Sequence, residues 1–227
     1  MINIFRKKAK SAKKSYSQCG EDVIVDFLRE ALKINTFSYL DIGANDPITI
    51  NNTYLFYRKG FKGVCIEPDP ILYDRLRRLR KGDICLNAGV GVKEEKEADF
   101  YMMTANTLNT FSKAEAERYQ SYGNCKIEKI LKVPLVSIND VIERYLKPYP
   151  TFVSLDIEGL DFEIIKTFDF SKLRPEIFCI ETLTYTTDNS EIKIKILIDY
   201  MTDNGYMLYA DTYVNSIFVE KNIWKNR

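Results

Sequence analysis

The sequence predicts an α/β protein: a seven-stranded, mostly parallel sheet with helices on both faces and an antiparallel hairpin at its C-terminal end. Short apolar runs alternate with amphipathic segments of helical length, the pattern of strands joined by crossover helices. The first two apolar runs each end on a carboxylate, Asp41 and Glu67, about 25 residues apart, as the strands of a βαβ unit do. The last two runs, Tyr206 to Ala210 and Ser216 to Glu220, are five residues apart, too few for a crossover helix, so they must pair antiparallel.

The elements follow in order. Ser17 is a plausible cap for an amphipathic helix through Val23, Phe27 and Leu32. Phe37 to Ile42 is apolar enough for a strand buried on both faces. A helix over 51–59 closes at Gly60. The strand 63–67 leads through Pro68-Asp69-Pro70 into a helix from Ile71 to Arg80, whose Arg75, Arg77, Arg78, Arg80 and Lys81 read as a solvated outer face. A third strand covers 84–88. Ala98 to Met103, the polar stretch 104–110 and a helix over 112–122 form an insertion beside the sheet. Lys132 to Val136 and a helix capped at Asn139 or Asp140 return the chain to the core. Two more strands, 152–156 and 176–181, each precede a helix, from Asp161 to Phe168 and from about Asn189 to Asn204.

A chain of 227 residues with 45% hydrophobic content fills one core, so residues 1–227 read as a single domain. Thirty-three basic against 32 acidic residues leave no field for nucleic acid. The exception is the segment 1–15, where Arg6, Lys7, Lys8, Lys10, Lys13 and Lys14 read as a mobile basic arm. There is neither an apolar run long enough for a membrane span nor the h-region of a signal peptide, and five cysteines without a C-x-x-C pair suit a reducing compartment. A cytoplasmic protein is the expectation. With no histidine at all, Ser-His-Asp and Cys-His nucleophilic arrangements are excluded, along with any metal site needing imidazole.

The stretch Tyr39-Leu40-Asp41-Ile42-Gly43-Ala44-Asn45-Asp46-Pro47 runs from a strand into a Gly-containing acidic turn. Gly43 allows a tight turn beneath a ligand. The phosphate-binding G-x-G-x-x-G pattern of a dinucleotide site is missing, and an acidic turn would repel a pyrophosphate. The turn suits a cofactor with a ribose, an ammonium and a sulfonium but no phosphate, which describes S-adenosylmethionine; Glu67 is placed to accept hydrogen bonds from both ribose hydroxyls.

These residues resemble the FkbM family of S-adenosylmethionine-dependent methyltransferases. The resemblance runs from Tyr16 to Glu220 and rests on ordered blocks: Tyr16-Ser17-Gln18 with Gly20-Glu21-Asp22; Leu40 to Asn45; Val64-Cys65-Ile66-Glu67-Pro68; Pro134-Leu135 with Ser137-Ile138; and Ser154-Leu155-Asp156-Ile157-Glu158-Gly159 with Arg174-Pro175 and Ile180-Glu181. It implies a class I methyltransferase, Rossmann-like fold and O-methylation, often of a sugar or secondary metabolite. By position it implies that Asp41, Gly43 and Asn45 line the methionine and ribose side of the cofactor. Glu67, with Pro68, would hold the ribose, Asn87 and Ala88 would lie near the adenine, and Gln18 would belong to an N-terminal lid.

In an open α/β sheet the ligand sits outside the carboxyl ends of the strands, so Asp41, Asp156 and Glu181 should converge on one crevice. Crowded carboxylates create a base or share a hard divalent cation. An alcohol must lose its proton as its oxygen is methylated. Asp156 is therefore the candidate base or metal ligand, Glu181 a second ligand for Mg²⁺ or Mn²⁺, and Glu158 a supporting catalytic carboxylate. The insertion 104–127, with Asn106, Thr107, Asn109, Thr110, Ser112, Tyr119 and Tyr122, is the expected acceptor-recognition element. The expected acceptor is a sugar or sugar-nucleotide in bacterial surface-glycan assembly. A small secondary metabolite, a non-catalytic cofactor-binding module and a homodimer all stay open here.

Overall fold

The computed structural model describes residues 13–92, 95–184, 186 and 190–227. The basic arm expected over 1–15 therefore lies largely outside the described residues, as does the predicted start of a helix at Asn189. Ten strands and eight helices follow along the described chain: α1 (Glu21–Ala31), β1 (Ser38–Ile42), α2 (Tyr54–Arg58), β2 (Lys62–Ile66), α3 (Pro70–Leu79), β3 (Ile84–Leu86), β4 (Gly89–Val90), β5 (Glu97–Met103), α4 (Lys113–Ser121), β6 (Ile127–Val136), α5 (Ile138–Tyr145), β7 (Phe152–Leu155), α6 (Asp161–Lys166), β8 (Ile177–Glu181), α7 (Lys195–Asp203), β9 (Tyr206–Asp211), β10 (Asn215–Glu220) and α8 (Lys221–Lys225). No helix among the described residues is long and apolar enough to cross a membrane.

Seven strands form the central sheet in the order β3-β2-β1-β7-β8-β10-β9. The first five run parallel, and β10 is antiparallel to both β8 and β9, as the short connection requires. Alternation along each strand serves two cores. Leu40, Ile42, Val64, Ile66, Val153, Leu155, Phe178 and Ile180 pack under α5, α6 and α7. Tyr39, Cys65, Phe152, Ile177, Cys179, Ile217 and Val219 pack against Val25 and Leu28 of α1, Phe56 of α2 and Leu76 of α3.

The chain departs from its sequence pattern in three places. Lys132 to Val136 is not a free-standing return to the core: it is the end of β6, which pairs antiparallel with β5 and parallel with β4 in a separate three-stranded sheet. Most of that strand is exposed or half-buried, so it needs no place in the main sheet. Helix α2 begins only at Tyr54, because the Asn51 side chain accepts from the amides of Thr53 and Tyr54 and turns 51–53 into a cap. Arg80 is not solvated: it is fully buried at the end of α3.

The insertion has its own small core, where Tyr101, Met103, Leu108, Ala116, Tyr119 and Cys125 meet. Ser112 caps α4 by accepting from the Glu115 amide.

Candidate active site at the strand ends

The carboxyl ends of β1, β2, β7 and β8 open on one cavity of about 490 Å³, within the range of roughly 300–1,000 Å³ that holds a small ligand. Its walls combine the turn after β1, the loop after β2, the loop after β7, the end of β8 and the insertion.

Gly43 sets the floor. Its φ is +77°, and a Cβ there would lie 1.8 Å from the Asp156 carbonyl oxygen, so no side chain fits where β1 and β7 converge. Asn45, at φ +47°, presents its amide to Glu67 Oε2 at 2.7 Å, while the Asp69 amide reaches Glu67 Oε1 at 2.8 Å. Both oxygens of a buried carboxylate are thus fixed by backbone donors. Burial nevertheless outweighs these bonds and raises Glu67 to about 8. Asn109 of the insertion donates to Asp69 at 3.2 Å, and Asn106 offers its carbonyl to the Asn45 side chain at 3.4 Å, so the insertion closes over this end.

At the other end Asp156, Glu158 and Glu181 each bring a carboxylate oxygen to within 4.8 Å of one another. Burial, followed by the charge of Asp41, raises Asp156 to about 6, and a hydrogen bond with Glu181 opposes the rise. Glu181 is pushed well above the usual carboxylate range by burial and by Asp156. Glu158, at φ +56°, is held from the insertion: Thr110 Oγ1 donates to its carbonyl at 2.8 Å and Tyr119 to its carboxylate at 3.2 Å. Behind it Asp161 accepts from the amides of Ile157 and Gly159, and burial raises it to about 8.

Gln18, Gly43, Asn45, Glu67, Pro68, Ala88, Asp156, Glu158 and Glu181 all line the cavity. Two predicted residues do not. Asp41 turns away from it, with Oδ2 accepting from Thr53 Oγ1 at 2.6 Å and from Asn51 at 3.4 Å. Glu158, not Asp41, completes the carboxylate trio. Asn87 points back, donating to the carbonyls of Glu67 and Pro68 at 2.9 and 3.0 Å, and so braces the loop that carries Glu67. Gln18 reaches the wall because its strap is pinned on both sides: Asp22 accepts from Ser15, Ser17 and the Tyr16 amide, and Glu21 from Thr212 and Asn215. Sequence reasoning missed Phe100 and Phe111, which face the cavity from the second sheet and the insertion, and Leu183 and Val214 at its other end. Only the three-dimensional placement of β4 to β6 identifies the aromatic pair.

The residues fit S-adenosylmethionine by their chemistry. A wall of carboxyl groups faces a sulfonium and an ammonium, a fixed carboxyl is set for a diol, apolar and aromatic side chains stand ready for a base, and no cation is placed for a phosphate among the described lining residues. When bound, that cofactor supplies an electrophilic methyl group.

No curated protein matches the chain. Among solved structures it is similar to a TehB-like SAM-dependent methyltransferase from Corynebacterium glutamicum, at 9% identity and a TM-score of 0.46, over 89% of this chain and 88% of that one. It is also similar to precorrin-6y C5,15-methyltransferase from Geobacter metallireducens, at 11% identity and a TM-score of 0.44, over 94% of each chain. The family described as Methyltransferase FkbM domain matches residues 41–208, well over half of the sequence, and the chain therefore belongs to the FkbM family of S-adenosylmethionine-dependent methyltransferases.

Proposed function

We propose that the protein methylates a hydroxyl oxygen of an uncharged sugar, in the setting of surface-glycan assembly. The observation that carries this reading is the carboxylate trio of Asp156, Glu158 and Glu181 at the end of the cavity away from Glu67. An amine needs no strong base to accept a methyl group, whereas a hydroxyl must lose a proton as the bond to carbon forms. Asp156 is the group to take it: burial and the charge of Asp41 raise it only to about 6, while Glu181 beside it is pushed well above the carboxylate range. Glu158 steadies the acceptor through its carboxylate, and the insertion 104–127 flanks the acceptor through the grip of Thr110 and Tyr119 on Glu158.

Asp46, Glu67, Asp156, Glu158 and Glu181 face the cavity with no Lys or Arg among its described lining residues, which favours a neutral sugar over a sugar-nucleotide. Thr49, Asn106, Thr107 and Thr184 supply short hydrogen-bonding side chains for a polyol. Asp156 and Glu181, with Glu158, also form an all-oxygen set suited to Mg²⁺ or Mn²⁺, an ion that would lower the hydroxyl pKa. A second reading, a small secondary metabolite with an apolar part, is favoured by Ile50, 60% exposed, and by Leu183 and Val214 on the cavity wall.

The test is calorimetry with S-adenosylmethionine, with and without Mg²⁺ or Mn²⁺, followed by transfer of labelled methyl to neutral glycosides, sugar-nucleotides and apolar alcohols. Transfer to neutral glycosides that is lost in Asp156→Asn with binding retained supports the assignment. Failure to bind the cofactor, or turnover that survives in Asp156→Asn, overturns it.

A further inference from the structure

We infer that Arg80 is a positioning residue for the cofactor, acting at one remove by holding the turn 43–50 through Pro47, Asn51 and Thr53. Its guanidinium is fully buried and paired with Asp83, whose side chain is equally buried, at 2.8 Å. Three of its other bonds go to one segment: Nη1 reaches the Pro47 carbonyl and Asn51 Oδ1, both at 3.3 Å, and Nη2 reaches Thr53 Oγ1 at 3.0 Å. Tyr39 takes a further bond at 3.0 Å.

The partners pass this hold onward. Asn51 Nδ2 donates to the carbonyls of Ala44 and Asp46 at 2.9 and 3.1 Å. Between these anchors lie Asn45 and Ile50, both with left-handed backbone at φ +47° and +51°, and both on the cavity wall. A β-branched residue adopts that conformation only where its surroundings over-determine it, and the Ile50 side chain is too exposed to do so by packing. Arg80 grips both flanks of Ile50, at Pro47 and Asn51. Asn45 is in turn the residue whose amide fixes Glu67. A buried ion pair adds little net stability over an apolar replacement, so stability alone does not account for a guanidinium fixed at four oxygen partners besides Asp83.

The inference rests on reading the cavity as the S-adenosylmethionine site, and two readouts separate the two claims. Amide hydrogen exchange over 43–50 in the cofactor-free protein reports the hold on the turn, and calorimetry reports cofactor affinity. Arg80→Lys keeps the charge but not the fork. Thr53→Val leaves the Arg80 pair with Asp83 intact and carries the test if Arg80→Lys does not fold. Arg174→Lys, at the pair with Glu220 on the far edge of the sheet, is the control for general loosening.

We expect faster exchange over 43–50 and cofactor binding weakened about tenfold in Arg80→Lys and Thr53→Val, with kcat at saturating cofactor and acceptor within about twofold of the parent, and no change of either kind in Arg174→Lys. Folded variants with parental exchange and affinity overturn the inference, as does an equal loss in Arg174→Lys. If the parent itself does not bind S-adenosylmethionine, the functional reading fails, and the exchange data alone decide whether Arg80 holds the turn.

Discussion

Two groups of buried charge meet near the end of β1, and they are balanced in opposite ways. On one side, Arg80 and Asp83 form a closed ion pair extended by Tyr39, Thr53 and Asn51. On the other, Asp156, Glu158, Asp161 and Glu181 crowd together, each above its usual range, and burial is the first cause for every one. Asp41 belongs to both: its hydrogen bonds lie with Thr53 and Asn51, while its charge raises Asp156. Compensated charge fixes geometry; uncompensated like charge keeps protons and reactivity available at a cost in stability.

The largest expected effect tests the uncompensated side. Asp156→Asn keeps the shape but removes the proton acceptor, so kcat for methyl transfer falls by roughly 10²–10⁴-fold while calorimetric affinity for S-adenosylmethionine stays near the parental value. Loss of cofactor affinity with kcat unchanged would instead move Asp156 to the binding group. The next effect lies at the cofactor end. Glu67→Ala removes the carboxylate fixed by the Asn45 and Asp69 amides and leaves two buried donors unsatisfied, so affinity falls by about ten- to a hundredfold, read in the same titration.

How much of this contrast was legible in the sequence follows from how local each signal is. Asp41, Glu67, Asp156 and Glu181 were visible because each ends an apolar strand, and strand ends converge by topology alone. The direction in which Asp41 points was not, because it depends on Asn51 and Thr53, residues that resemble any helix entrance. Arg80 was misread for the same reason: in a run of five basic residues only the fourth turns inward, and Asp83, its partner, lies beyond the helix end. The second sheet escaped because β4 is two residues long and β6 alternates too weakly to declare a buried face.

A smaller effect concerns pH. Glu67 has a folded pKa of about 8 against an unfolded value of 4.5, so between those limits the folded protein holds a proton that the unfolded chain has released. Asp161, at about 8 against 3.8, behaves alike. Folding then binds protons, and stability, fully present below the unfolded pKa, is lost as pH rises toward the folded one. Thermal unfolding of the cofactor-free protein should show a lower Tm at about pH 8 than at about pH 5; a rise over that interval would show that the folded state does not hold these carboxyl protons.

The smallest effect is the most discriminating, because it separates the cost of the acid group from its chemistry. Burial and Asp156 push Glu181 well above the usual carboxylate range, and glutamine mimics a protonated glutamate, able to donate through its amide to Asp156. Glu181→Gln therefore removes the cost of a proton that the folded state keeps and the unfolded chain releases above its ordinary 4.5, so its gain in Tm over the parent is larger at about pH 8 than at about pH 5, by about 2–4 °C. The same variant loses a carboxylate ligand, so a divalent cation bound by the trio binds more weakly to it in calorimetry, while a site that works without metal keeps its turnover. A gain in Tm equal at both pH values would show that the benefit of glutamine does not run through the titration of Glu181, and the opposition between the two charge groups would then reduce to a difference in packing.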